Sequence, residues 1–113
     1  MLYIENNIVY LTRGDSASLV VTIKDLDGND YTLQAGDELT FTMKQNCETA
    51  EIVITKDITA DSTITLQPSD TESLRYGDYV FDVQLTQAGG DVYTVIPPSI
   101  FRIAKEVTFN GTP

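Results

Sequence analysis

The chain contains no histidine, and this absence restricts its chemistry more than any residue it carries. Histidine is the commonest general base and a frequent metal ligand, so serine and cysteine triads of the usual kind and most zinc sites are excluded. The one thiol, Cys47, lies beside Glu48, whose negative charge disfavours a thiolate. We interpret Cys47 as an incidental thiol, and we predict that the protein is not an enzyme.

Oxygen-bearing side chains cluster around Gly28, and this cluster is the best candidate for binding a hard cation. Calcium prefers carboxylate and carbonyl oxygens, but the spacing here does not reproduce an EF-hand loop. Aspartate, asparagine and glycine are also the residues that hairpin turns favour. A hairpin turn is the preferred interpretation and a calcium site the alternative, with the ligands Asp25, Asp27, Asn29 and Asp30.

Two further motifs have both a functional and a plain interpretation. Arg13, Gly14 and Asp15 spell the tripeptide that integrins recognise, but glycine and aspartate before a strand are also ordinary turn residues. A glycosidase needs only two carboxylates, and Asp82 is a mid-strand candidate for one of them. Because Asp82 alternates with Phe81, it is predicted on the outer, solvated face of its strand. The plain interpretation is preferred in both cases, and we predict no catalytic, metal or cofactor site.

The charge balance argues against two classes of partner. Seven Lys and Arg residues oppose seventeen Asp and Glu residues, for a net charge of −10. Phosphate backbones and anionic membranes attract cationic proteins, so neither nucleic acid nor a membrane is expected as a partner. The sequence has no signal-peptide pattern and no apolar run long enough to span a bilayer, so we expect a soluble chain.

Short alternating strands separated by polar turns run through the whole sequence. In 39–44, Leu39, Phe41 and Met43 point to one face and polar residues to the other, which is typical of a half-buried strand. The length fits a single domain over 1–113, with 110–113 as a frayed tail. We predict an all-β, antiparallel sandwich of about seven to nine strands. The other predicted strands are 8–12, 18–24, 31–33, 52–56, 63–66, 79–87, 91–96 and 100–104, with a further edge strand at 107–109.

Two local signals refine this prediction. Ser69 and Glu72 have the spacing of a capping box, which predicts one helical turn near 69–74. Pro97 and Pro98 have no N–H group to donate, so they should interrupt the strand ladder between 91–96 and 100–104.

Three segments resemble a known family when they are taken together in order. They are 11–16, then 70–74 followed by 76–83, and finally 98–103 before 106–108. Their order and spacing resemble the β-sandwich modules of phage and prophage virion proteins, particularly the N-terminal domain of baseplate upper proteins. The resemblance implies an immunoglobulin-like sandwich that docks into a tail or baseplate assembly, usually as an oligomer, and it supplies no catalytic residue.

Two functions from different classes are therefore expected. The first is a non-enzymatic structural protein of a phage or prophage particle, assembled in the bacterial cytoplasm and located in the virion, with other virion proteins and its own copies as partners. Exposed strand edges would provide its contacts. The alternative is a bacterial carbohydrate- or ligand-binding β module that uses the loop 25–30, calcium and surface tyrosines.

Overall fold

The computed structural model describes residues 2–5 and 8–107, which form eight strands and one short helix. The short, alternating apolar segments of the sequence account for most of these strands. In chain order the elements are β1 (Leu2–Glu5), β2 (Ile8–Thr12), β3 (Ala17–Val20), β4 (Glu38–Lys44), β5 (Ile54–Asp57), β6 (Thr63–Leu66), α1 (Pro68–Thr71), β7 (Gly77–Thr86) and β8 (Val92–Ala104).

Six strands form one large sheet, in the order β1-β2-β8-β7-β4-β5, and β3 pairs with β6 in a small second sheet. The predicted all-β sandwich is confirmed. One pair departs from the predicted antiparallel arrangement, because β2 runs parallel to β8, with Val9 opposite Phe101. Two parallel strands that lie side by side need a long connection between them, and here the elements from β3 to β7 form that connection.

One hydrogen bond in the structure is typical of immunoglobulin-like sandwiches. In that fold a tyrosine near the start of the strand after the corner donates its hydroxyl to a backbone carbonyl a few residues earlier. Tyr79, near the start of β7, donates to the carbonyl of Arg75 at 2.8 Å. The bond ties the corner that follows α1 to the core.

The core lies between the two sheets and consists of the inward-facing residues of the alternating strands. Leu39, Phe41 and Met43 are fully buried, which confirms the predicted inner face of β4. Phe81 lies between Phe41 and Phe101, with ring centroids 5.7 and 5.8 Å away, respectively. Such tilted and edge-on contacts add to the stabilisation that burial provides.

The helical turn begins earlier than predicted. It spans Pro68–Thr71, and the Asp70 carboxylate accepts a hydrogen bond of 2.7 Å from the backbone N–H of Gln67. The predicted cap at Ser69 is therefore wrong by two residues. Pro68 explains the shift, because its fixed φ and missing N–H suit the first helical position and place the cap one residue before it.

Two predicted strands in the first half of the chain differ from the structure. β3 ends at Val20, whereas the prediction continued to Lys24, and 31–33 is not a strand. Val21 and Ile23 are still buried, and Tyr31 and Leu33 pack against the core. An alternating apolar pattern reports burial, and here the burial extends beyond the hydrogen-bonded ladder.

The C-terminal strands also differ in one respect. β8 is continuous through Pro97 and Pro98, although the sequence predicts two strands there. The interruption appears as irregular pairing, with register shifts between Phe81 and Val83 and between Val83 and Gln84 of β7. Of the predicted edge 107–109, residue 107 is not in a strand, while 108–109 and the predicted tail 110–113 lie outside the described residues.

Candidate interaction surface

An apolar groove runs between β3 of the small sheet and β2 and β8 of the large sheet. Its volume is about 800 Å³. At its rim Val20 is 71% exposed and Ile4 is 54% exposed. Extended exposed apolar surface of this kind marks interaction sites in soluble proteins. The lining residues are Ile4, Ile8, Val9, Leu19, Val20, Val21, Phe81, Ile96, Pro97, Pro98, Ser99 and Ile100.

The described lining of the groove is uncharged, although the protein is strongly acidic. None of the described residues that line it is ionisable, whereas the whole chain has a net charge of −10. The binding free energy of a partner that docks here would come from the burial of apolar surface, because the lining offers no charged group for an ion pair. The groove therefore suits an uncharged, apolar segment.

The edge of β8 next to the groove lacks a neighbouring strand. From Val92 to Ile100, β8 pairs with β7 on one side, and its pairing with β2 begins only at Phe101. In the described ranges 2–5 and 8–107, no strand occupies the other side of this stretch. An unpaired edge presents backbone N–H and C=O groups to any chain that can add a strand. We call residues 92–96 the β8 edge.

The Arg13-Gly14-Asp15 tripeptide contributes its arginine to an internal cluster. The Arg13 guanidinium donates to the Glu106 carboxylate at 3.0 Å, the Leu74 carbonyl at 3.1 Å and the Tyr76 hydroxyl at 2.8 Å. Its side chain also lies over the Tyr76 ring. This Arg13 cluster links the end of β2 to the segment after α1 and to the segment after β8. The Arg13 guanidinium is therefore engaged in contacts within the fold.

The Arg13 cluster makes the stability of the fold depend on pH in the acidic range. The hydrogen bond from Arg13 lowers the pKa of Glu106 below its usual range. A carboxylate whose pKa is lower in the folded state stabilises the protein above its unfolded pKa of about 4.3, and this stabilisation disappears as the pH falls through the folded value.

We therefore expect Glu106→Gln to lower the urea midpoint at neutral pH, and the difference from the parent protein to shrink steadily below about pH 4.3. Urea titrations at a series of pH values measure both curves. Glu72→Gln is the control, since Glu72 is exposed and forms no ion pair among the described residues. A constant difference between Glu106→Gln and the parent protein at every pH would contradict the prediction.

The predicted cation ligands form a hairpin turn. The Asp25 carboxylate accepts hydrogen bonds from the backbone N–H groups of Asp27, at 2.9 Å, and Asn29, at 3.0 Å. Asp30 forms an ion pair with Lys24. Two of the four candidate ligands, Asp25 and Asp30, thus have partners within the turn. In the described part of the chain, no three Cys, Asp or Glu side chains are arranged to hold a metal ion.

Asp82 lies on the outer face of the large sheet, as predicted, opposite Thr42 of β4. It borders a second depression of about 390 Å³, which also contains Lys44, Gln84 and Cys47. This depression mixes polar and apolar groups and brings no second carboxylate to Asp82. Among the described residues that line this depression, Asp82 has no second carboxylate with which to form the pair that a glycosidase requires.

The tyrosines whose side chains the structure describes have separate surroundings. The Tyr31 hydroxyl donates to Asp37 at 2.6 Å, Tyr76 belongs to the Arg13 cluster and Tyr79 holds the corner. Tyr93 lies on the β8 edge and is 52% exposed. These side chains do not gather into one carbohydrate-binding rim.

Comparison with known proteins leaves the family undetermined, since no family model, no curated protein and no solved structure matches the chain. Over the residues described, no helix has the length and apolar character needed to span a membrane. The fold and the surface together define a β-sandwich with an uncharged apolar groove beside an open strand edge.

Proposed function

We propose that this protein is a non-enzymatic structural module that assembles with other proteins through the apolar groove and the β8 edge. The observation that carries the proposal is the charge-free groove on a protein of net charge −10. Burying apolar surface and completing a strand edge give affinity without any reactive side chain. The absence of histidine agrees with a role in which binding, rather than catalysis, is the activity.

The setting that we propose is a phage or prophage particle. The resemblance of the segments 11–16, 76–83 and 98–103 to baseplate modules supports this setting, and repeated protein contacts are what such a particle requires. The chain would be assembled in the bacterial cytoplasm, and its neighbours in the particle would be other virion proteins. The occupant of the groove would be an extended, uncharged apolar segment of such a neighbour.

The test is incorporation into particles. Particles purified from a strain that carries the gene should contain the chain in a fixed ratio to the other virion proteins, measured by quantitative mass spectrometry. Val20→Glu places a charge at the groove rim and should exclude the chain from particles. Because Val20 is 71% exposed, the purified variant should keep the circular dichroism spectrum and urea midpoint of the parent.

Leu26→Glu is the matched control, because Leu26 is fully exposed and does not line the groove. This variant should enter particles normally. Particles that lack the parent chain would overturn the setting, and particles that accept Val20→Glu as well as the parent would overturn the role of the groove.

A further inference from the structure

β3, the strand at the rim of the groove, has one side without a neighbouring strand among the described residues. On its other side it pairs with β6 through all of Ala17–Val20, without a register shift. The backbone N–H of Val21 donates to the Ser62 carbonyl at 2.8 Å and continues this ladder. Bonded and non-bonded pairs alternate in an antiparallel ladder, so the N–H and C=O groups of Ser18 and Val20 point away from β6.

These outward backbone groups are available to a further strand. In the part of the chain that the structure describes, no hydrogen bond is formed by the N–H of Ser18 or Val20. On the far side of the small sheet, in contrast, the N–H of Thr63 donates to the Asp61 carboxylate at 3.1 Å. Leu19 and Val20 of β3 line the groove, and no residue of β6 does. The open side of β3, rather than that of β6, therefore adjoins the groove.

The edge of β3 lacks the charges that protect other strand edges. Exposed edges in proteins commonly carry charged residues that prevent pairing with another chain. The two outer strands of the large sheet follow this rule, with Glu5 in β1 and with Lys56 and Asp57 in β5. β3 and β6 contain no charged residue. The edge of β3 is therefore suited to accept a strand.

We propose that the groove receives an extended segment of a different protein, which adds to β3 as an antiparallel strand and makes the small sheet three-stranded. The five residues of this segment lie opposite residues 17–21. The second and fourth exchange backbone hydrogen bonds with Val20 and Ser18. The first, third and fifth side chains lie on the same face of the sheet as Leu19 and fill the groove, so they are apolar.

Charge identifies the chemistry of this partner. The described lining of the groove is uncharged, so a charged side chain in the segment would lose its hydration without gaining an ion pair. A second copy of the chain, with its net charge of −10, would bring two acidic bodies together. A segment of a different protein avoids both costs. This inference rests on the proposed function and names the kind of segment that the groove binds.

A synthetic peptide tests the proposal with the purified chain. The probe is a blocked pentapeptide with valine at its first, third and fifth positions and threonine at the other two. At saturation it should slow the hydrogen exchange of the Ser18 and Val20 amides at least about tenfold, measured by NMR, because both N–H groups become bonded. The Thr65 amide, on the far side of the small sheet, should keep its exchange rate. Unchanged exchange at Ser18 and Val20 overturns the proposal.

N-methylated peptides test the register of the added strand. Methylation of the threonine at position two removes an N–H that bonds β3, and it should weaken binding about tenfold. Methylation of the central valine is the matched control, because its N–H points away from β3. Binding should also be the same at low and high salt, since neither the peptide nor the described lining is charged. Equal binding of the two methylated peptides overturns the proposal.

A substitution in the chain gives an independent test. Ser18→Pro removes one outward N–H and should weaken peptide binding about tenfold, while the fold is retained because that N–H does not bond β6. Thr65→Pro is the matched control, since Thr65 lies opposite Ser18 and its N–H faces the far side of the small sheet. Circular dichroism and urea midpoints verify that both variants fold, and the methylated peptides decide the register if Ser18→Pro does not. Equal binding by the two folded variants overturns the proposal.

Two further measurements separate this inference from its alternatives. In sedimentation velocity without peptide, Ser18→Pro should have the same oligomeric state as the parent, and a parent dimer that Ser18→Pro abolishes would assign the edge to a second copy and overturn the proposal. Peptide binding by a chain that is absent from particles would refute the proposed function alone. Normal entry of Ser18→Pro into particles that exclude Val20→Glu would refute the pairing at β3 alone.

Discussion

Phe41→Ala is expected to lower the free energy of unfolding by about 3–5 kcal/mol. Phe41 is fully buried and packs against Phe81, which in turn packs against Phe101. Its removal loses the transfer free energy of the ring and leaves a cavity at the centre of the sandwich. Domains of this size have total stabilities of about 5–15 kcal/mol, so the variant should be partly unfolded on mild warming. Urea denaturation followed by circular dichroism measures the change.

The matched control for Phe41→Ala is Leu26→Ala. Leu26 is fully exposed, and its truncation should change the free energy of unfolding by less than about 0.5 kcal/mol. If Phe41→Ala lowers the free energy of unfolding by less than about 1 kcal/mol, the packing of the three phenylalanines does not contribute strongly to the stability of the core.

Gly36→Ala is expected to destabilise the fold by about 2–4 kcal/mol, because two separate costs add at this position. Gly36 has a φ of +88°, a conformation that side chains disfavour. A Cβ atom there would also lie 2.7 Å from the Cβ of Ala88 in the turn between β7 and β8. Since neither carbon can rotate away, the backbone of one turn must shift.

Gly28→Ala separates these two costs. Gly28 has a similar φ of +84° but no atom near the position of a Cβ, so this variant should lose only about 1–2 kcal/mol. The double variant Gly36→Ala with Ala88→Gly should recover most of the additional loss, since it removes the contacting carbon. Equal urea midpoints for Gly36→Ala and Gly28→Ala would show that the turns move apart freely.

The alternation of apolar and polar residues predicted correctly which side chains of the central strands are buried. Phe41 and Met43 in β4, and Phe81 and Val83 in β7, were assigned to the inner face because their period of two is unbroken. Such strands have sheet neighbours on both sides, so local pattern and tertiary position agree. For β3 the same pattern predicted a strand that is too long, because Val21 and Ile23 are buried without belonging to a ladder.

Long-range pairing is what the sequence could not reveal. Arg13 and Glu106 are 93 positions apart, and nothing in either local pattern links them. The β8 edge was correctly predicted as strand, but whether it has a neighbour depends on where β2 begins to pair with β8. The turn at Asp25 was the favoured interpretation because its residue types suit local hydrogen bonds, and those need no distant partner.

The parallel pairing of β2 with β8 also has a consequence for synthesis in the cell. Val9 leaves the ribosome well before its partner Phe101, which is made more than ninety residues later. Translation at about 5–20 residues per second leaves the apolar face of β2 uncovered for several seconds. Chaperone binding to the nascent chain should therefore persist until β8 emerges, and the large sheet should close only after β8 has been made.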